Sequence, residues 1–123
     1  MKTKIRVCLV STNSYPLFNS ECEATFGGAE LQIFLMAKYL AQDKKYEVSV
    51  IVGDFGQNDI EVRENAQIIK AHKRDAGMMG RLLAPYKILS ALGKARPDVI
   101  VQRASGPETG ICALYADLKR KPF

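Results

Sequence analysis

Four short apolar runs, with helical spacing in the first and third of the stretches between them, constrain this chain more than any other feature. Ile5–Val10 (IRVCLV), residues 46–52 (YEVSVIV), 67–71 (QIIKA) and 98–102 (DVIVQ) each suit a β-strand. The first is apolar almost throughout, as expected where helices cover both faces of a sheet. Between the first two runs, Ala29, Ile33, Met36 and Leu40 recur at helical intervals, and Phe34, Ala37 and Ala41 widen the stripe. That spacing predicts a helix from Ala29 to about Gln42. A second helix is predicted over 78–95, with Met79, Leu82, Leu83, Tyr86, Leu89 and Leu92 as its apolar positions; Pro85 should kink it or mark its true start. A third opens on Ser105, Gly106, Pro107 and Glu108, which have the form of a capping box, and closes on Lys119, Arg120 and Lys121 before Pro122.

Strands alternating with helices imply a parallel sheet in an α/β, doubly wound, Rossmann-like domain. With 123 residues there is room for one such domain. The link between the second and third runs shows no helical pattern, so the topology there is left open. A fifth strand would be expected after the last helix, so the sequence reads as a domain truncated before that strand.

Several function classes are disfavoured. A net charge of +5 suits anionic ligands or an acidic membrane surface, but it is no nucleic-acid signature. No apolar run has the length of a membrane span, and Arg6 interrupts the N-terminal apolar stretch, which argues against a signal peptide. The three cysteines lack CxxC spacing, favouring a reducing, cytoplasmic setting without a structural metal. Cys8 and Cys112 lie in apolar runs and read as core residues. The single histidine, His72, supports neither a zinc cluster nor a hydrolytic triad and reads as a surface residue. Asp54, after the second run, reads as a turn former. Lys73, Arg74, Arg81, Lys87 and Lys94 around the 78–95 helix form a solvated basic face by default, with peripheral contact to acidic lipid as the sharper reading.

The segment TFGGAEL, residues 25–31, places Gly27 and Gly28 where the first helix should begin. Two readings stand side by side. The glycines can cap the helix and let it pack closely on the sheet, or they can let an anion approach free N–H groups at the helix start. The segment is neither GxGxxG nor a P-loop. If the strand order is 3-2-1-4, the crevice beyond the strand ends lies between the first and fourth strands. The 11–28 loop and the 103–107 loop then converge there, bringing Gln102, Arg103 and Ser105 toward Gly27 and Gly28 as substrate-binding candidates. Arg103 is the best cation for phosphate or sugar hydroxyls. No catalytic residue or metal ligand is assigned.

Three stretches together, KIRVCLV, FGGAELQIFLMAKYLAQDKKYEVSVIV and ARPDVIVQR, resemble the N-terminal domain of family 4 glycosyltransferases, retaining enzymes of the GT-B fold. The resemblance covers nearly the whole chain. It implies transfer of a sugar from a nucleotide-sugar donor, a co-substrate rather than a bound cofactor, to a glycan, lipid or small-molecule acceptor. Residues 1–123 would be the acceptor side of the cleft, with the glycine loop reaching the donor's phosphate or sugar. The second, nucleotide-sugar domain is absent, so this portion alone should not catalyse. Where members often carry a histidine after the fourth strand, this chain has Gln102 and Arg103, and that role does not carry over. The alternative is a non-catalytic Rossmann-like module that binds a small anion or a protein partner.

Overall fold

In the computed structural model the structure describes residues 5–11, 14–19, 28–54, 57–73, 77–102 and 107–119. The chain order is β1 (Ile5–Val10), α1 (Tyr15–Phe18), α2 (Gly28–Ala41), β2 (Tyr46–Asp54), β3 (Ile60–Arg63), β4 (Ala66–Lys73), α3 (Gly77–Ala95), β5 (Val99–Gln102) and α4 (Pro107–Lys119). Among the described residues these strands form one sheet in the order β3-β4-β2-β1-β5. β1 runs parallel to β2 and β5, and β2 runs parallel to β4, while β3 is antiparallel to β4. The fold is therefore α/β, with a mostly parallel sheet of Rossmann-like design. The four strands read from sequence are β1, β2, β4 and β5, and their order is the 3-2-1-4 arrangement that placed the crevice between the first and fourth.

Side chains of alternate strand residues go to opposite faces, and the sheet divides its apolar residues accordingly. Val7, Leu9, Val50 and Ile68 pack with Ile33 and Ala37 of α2, whereas Cys8, Ile51, Ile69 and Ile100 pack with Ile88 and Leu92 of α3 and Cys112 of α4. Both faces are thus covered, which explains why the strands are nearly continuous apolar runs. Leu9 and Ile51 are wholly buried, and each such side chain contributes about 1.5–3 kcal/mol by leaving water. Cys8 and Cys112 are both free thiols in this core, as their apolar surroundings in sequence suggested.

The helix facing was read less accurately. Met36 is 38% exposed, because Ile33 and Ala37 carry the buried line of α2 while Leu31, Leu35 and Tyr39 lie outward. In α3 the buried line is Ile88, Ala91, Leu92 and Ala95, and Tyr86 is exposed. Spacing alone cannot orient a helix that is apolar on several sides, and contact with the sheet decides. Pro85 does not start α3, which is helical from Gly77 onward.

Two elements were not anticipated. Inside the supposed 11–26 loop, Tyr15–Phe18 forms a single helical turn with Pro16 in its first positions, where a missing N–H costs nothing. The link between β2 and β4 contains β3 in place of a helix. Because β3 runs antiparallel at the sheet edge, it returns the chain to the starting end, and a two-residue turn at Glu64 and Asn65 then lets β4 rise beside β2. An antiparallel return satisfies the crossover that parallel strands require.

At the starting end of the sheet, Asp98 ties β1 to the approach of β5. The Arg6 N–H donates to Asp98 Oδ2 at 2.9 Å, and the Asp98 N–H donates to the Arg6 carbonyl at 2.7 Å. The acidic side chain therefore extends the ladder by one rung beyond the strand proper.

Candidate functional site

In a doubly wound sheet, the helices lie on opposite faces at the point where strand order reverses, leaving a crevice at the carboxyl ends. Here the reversal falls between β1 and β5, whose last rung pairs Val10 with Gln102. α2 lies in the connection between parallel β1 and β2, so its first residue, Gly28, belongs to the rim where β1 ends. α4 follows β5 and starts on the same rim.

The chain leaving β1 is held tightly at this rim. The Ser11 N–H donates to the Ile51 carbonyl at 3.0 Å. Ser14, fully buried, then donates to the Ser11 carbonyl from its N–H at 3.2 Å and from Oγ at 2.9 Å. That turn sends the chain into α1, where Phe18 meets Phe34 of α2 edge to face at a centroid distance of 4.9 Å.

Gly28 is exposed, and a Cβ built on it would meet nothing within 4 Å among the described residues. Its backbone is not in the left-handed region. Close packing of helix on sheet therefore does not account for this glycine, and neither does backbone conformation. Glu30 in the same first turn complements the helix dipole. Gln102 is half-buried and shares the sheet face of Ile100, toward α3 and α4, whereas Gly28 opens the helix on the other face. The two residues share a rim without sharing a face. Gly27, Arg103 and Ser105 lie outside the described residues. Asp54 ends β2 and His72 lies in β4; Lys87 and Lys94 are exposed on α3.

A polar cluster on the α2 face went unread in sequence. The Tyr15 hydroxyl donates to Glu61 Oε1 at 2.8 Å and accepts from Asn19 Nδ2 at 3.0 Å. Arg63 Nε lies 3.4 Å from the same carboxylate oxygen, and the Asn58 N–H donates to Oε2 at 3.3 Å. The hydrogen bond from Tyr15 holds the Glu61 carboxyl below its usual range, with the Asn58 and Arg63 contacts acting the same way. Burial pushes the Tyr15 phenol up. This cluster ties α1 to the sheet edge through groups that already have partners, which suits a structural clasp. The period-2 pattern of a four-residue strand with outward Ile60 and Val62 was the only available signal.

Among the described residues no three His, Cys, Asp or Glu side chains are grouped to hold a metal ion, and no helix is long and apolar enough to cross a membrane. Beside α3, a depression of about 250 Å³ is bordered by Lys70, Lys87 and Lys94, but Lys70 Nζ is engaged by Asp59 at 3.2 Å. No protein-family model, curated protein or solved structure matches the chain.

Proposed function

We propose that this chain forms the acceptor side of the cleft of a retaining glycosyltransferase that uses a nucleotide-sugar donor. The observation that carries the reading is Gly28. It sits at the rim beside the strand-order reversal, outside the left-handed backbone region, with nothing among the described residues where a side chain would be. Neither backbone strain nor packing of α2 on the sheet asks for a glycine there. A ligand that must come close to the first-turn N–H groups does ask for one.

In the proposed transfer the bond between the anomeric carbon and the donor phosphate breaks, and the nucleoside diphosphate leaves with the electron pair. The acceptor hydroxyl oxygen bonds the anomeric carbon, and its proton passes to an oxygen of the departing diphosphate. Negative charge grows on the departing diphosphate, and N–H groups with the positive end of the α2 dipole stabilise it without any ionisable side chain.

The test is sugar transfer by the complete protein across a panel of nucleotide-sugar donors, comparing Gly28→Ala and Gly28→Val with the parent. Turnover should fall with side-chain size, by about a hundredfold for valine if one oxyanion-type contact is lost. Circular dichroism should remain unchanged. Undiminished transfer by Gly28→Val, or absence of transfer from every donor, removes the reading.

A further inference from the structure

At the opposite end of the sheet from the rim, the starting ends of β1 and β5 and the last turns of α3 and α4 enclose a cleft of about 520 Å³. Its lining is Arg6, Gly93, Arg96, Pro97, Tyr115 and Lys119. We infer that this cleft binds a small phosphomonoester, with Arg6, Arg96 and Lys119 around the phosphate and Tyr115 against the organic part.

The volume lies within the usual range for small-molecule sites, about 300–1,000 Å³. Charge narrows the ligand class. Among the described residues three cations line the cleft, and Asp98 is an acid beside it, with Oδ1 3.7 Å from Arg6 Nη2 and Oδ2 accepting the Arg6 N–H. That pairing holds the guanidinium in place and leaves two cations, Arg96 and Lys119, with no ion pair among the described residues. The carboxyl ends of α3 and α4 each add about half a negative charge. Among the described lining residues the cations outnumber the acids, which suits a small anion such as a phosphomonoester.

Two further features point to a ligand that accepts hydrogen bonds. Arg6 Nε is buried without an acceptor among the described residues, whereas the side chain as a whole is 42% exposed. The exposed part of the guanidinium is what a phosphate oxygen in the cleft can reach. Tyr115 is half-buried, and burial raises its phenol pKa, so its hydroxyl stays protonated and able to donate at neutral pH. Its ring supplies an apolar wall for a sugar or similar group. Gly93 leaves the wall opposite free of side chain, since a Cβ there meets nothing within 4 Å among the described residues. The inference does not depend on the sugar-transfer reading of the other rim.

Two substitutions can empty the cleft of ligand without endangering the fold. Gly93→Glu puts a carboxylate into the cleft and replaces a helical glycine by a better helix former. Arg96→Gly removes one cation and relieves a left-handed residue with φ of 49°. Titration calorimetry on the chain with glucose 6-phosphate, inorganic phosphate and glucose should give binding for the first two and none for glucose. Gly93→Glu and Arg96→Gly should each weaken glucose 6-phosphate at least about tenfold, the loss of one charge-assisted contact, with melting temperature held or raised; Gly93→Ala should bind as the parent does. Phosphatidylcholine vesicles with and without phosphatidic acid separate the two sources of phosphate. Binding to phosphatidic acid vesicles that Gly93→Glu abolishes, with no response to glucose 6-phosphate, assigns the same cleft to a lipid headgroup. No phosphate binding from either source, or equal affinity in Gly93→Glu, overturns the inference.

Discussion

The Tyr15 hydroxyl donates a 2.8 Å hydrogen bond to Glu61 across 46 positions of sequence, fastening the turn after β1 to the edge strand β3. Tyr15 is 2% exposed, and its ring lies in the core between α2 and the sheet. Removing only the hydroxyl deletes this bond together with the one it accepts from Asn19 Nδ2, while the ring stays in place. Tyr15→Phe should destabilise the chain by about 1.5–3 kcal/mol, the range for a hydrogen bond to a charged acceptor. In a double-mutant cycle with Glu61→Gln, urea unfolding should show coupling of about 1 kcal/mol. Additive effects would mean that the two groups act independently.

The same pair makes stability depend on pH at both extremes. Glu61 is held below its ordinary value of 4.5 by Tyr15, so its contribution is complete above that value and is lost as pH falls through the lowered one. Tyr15 is raised above 10.0 by burial, so its contribution is complete below that value and declines as pH rises beyond it. Melting temperature followed from acid to alkaline pH should drop at both ends. Glu61→Gln should flatten the acid limb, and Tyr15→Phe the alkaline one. Unaltered limbs in these variants would assign the pH dependence to other groups.

The β3–β4 turn carries avoidable strain. Glu64 and Asn65 have φ of 52° and 62°, the two positive values of a type I′ turn, which favours Asn-Gly. Glu64→Asn with Asn65→Gly should stabilise the chain by about 1 kcal/mol, since a non-glycine residue in the left-handed region costs of that order. Chemical denaturation would read the gain as a higher midpoint at unchanged slope.

Cys8 and Cys112 are wholly buried. Burial, with Cys112 nearby, pushes the Cys8 thiol far above its normal range, so almost no thiolate forms in the native state. In a Cys22→Ser background, alkylation of both thiols should be at least about a hundredfold slower than in urea, because it waits for opening of the core. Fast labelling without denaturant would show that the layer between α4 and β1 opens readily.

The sequence by itself determined which runs become the four parallel strands and the placement of Cys8 and Cys112 in the core. Those features follow from local apolar density, because a strand covered on both faces must be apolar on both. It also marked Gly28 as a residue to explain, but could not separate packing from ligand access. The tertiary structure adds that a Cβ at this position meets nothing within 4 Å among the described residues.

Tertiary structure alone decided β3 and α1. Ile60 and Val62 are 42% and 73% exposed, so β3 exists through its pairing with β4 and leaves little hydrophobic signature. α1 is a single turn whose Tyr15 is buried with its hydroxyl satisfied by residues distant in sequence. Likewise, Arg6, Arg96 and Lys119 are scattered among eighteen basic residues until the fold gathers them around one cleft. Periodicity reports how a segment meets its immediate surroundings, whereas long-range pairing and charge convergence depend on which segments become neighbours.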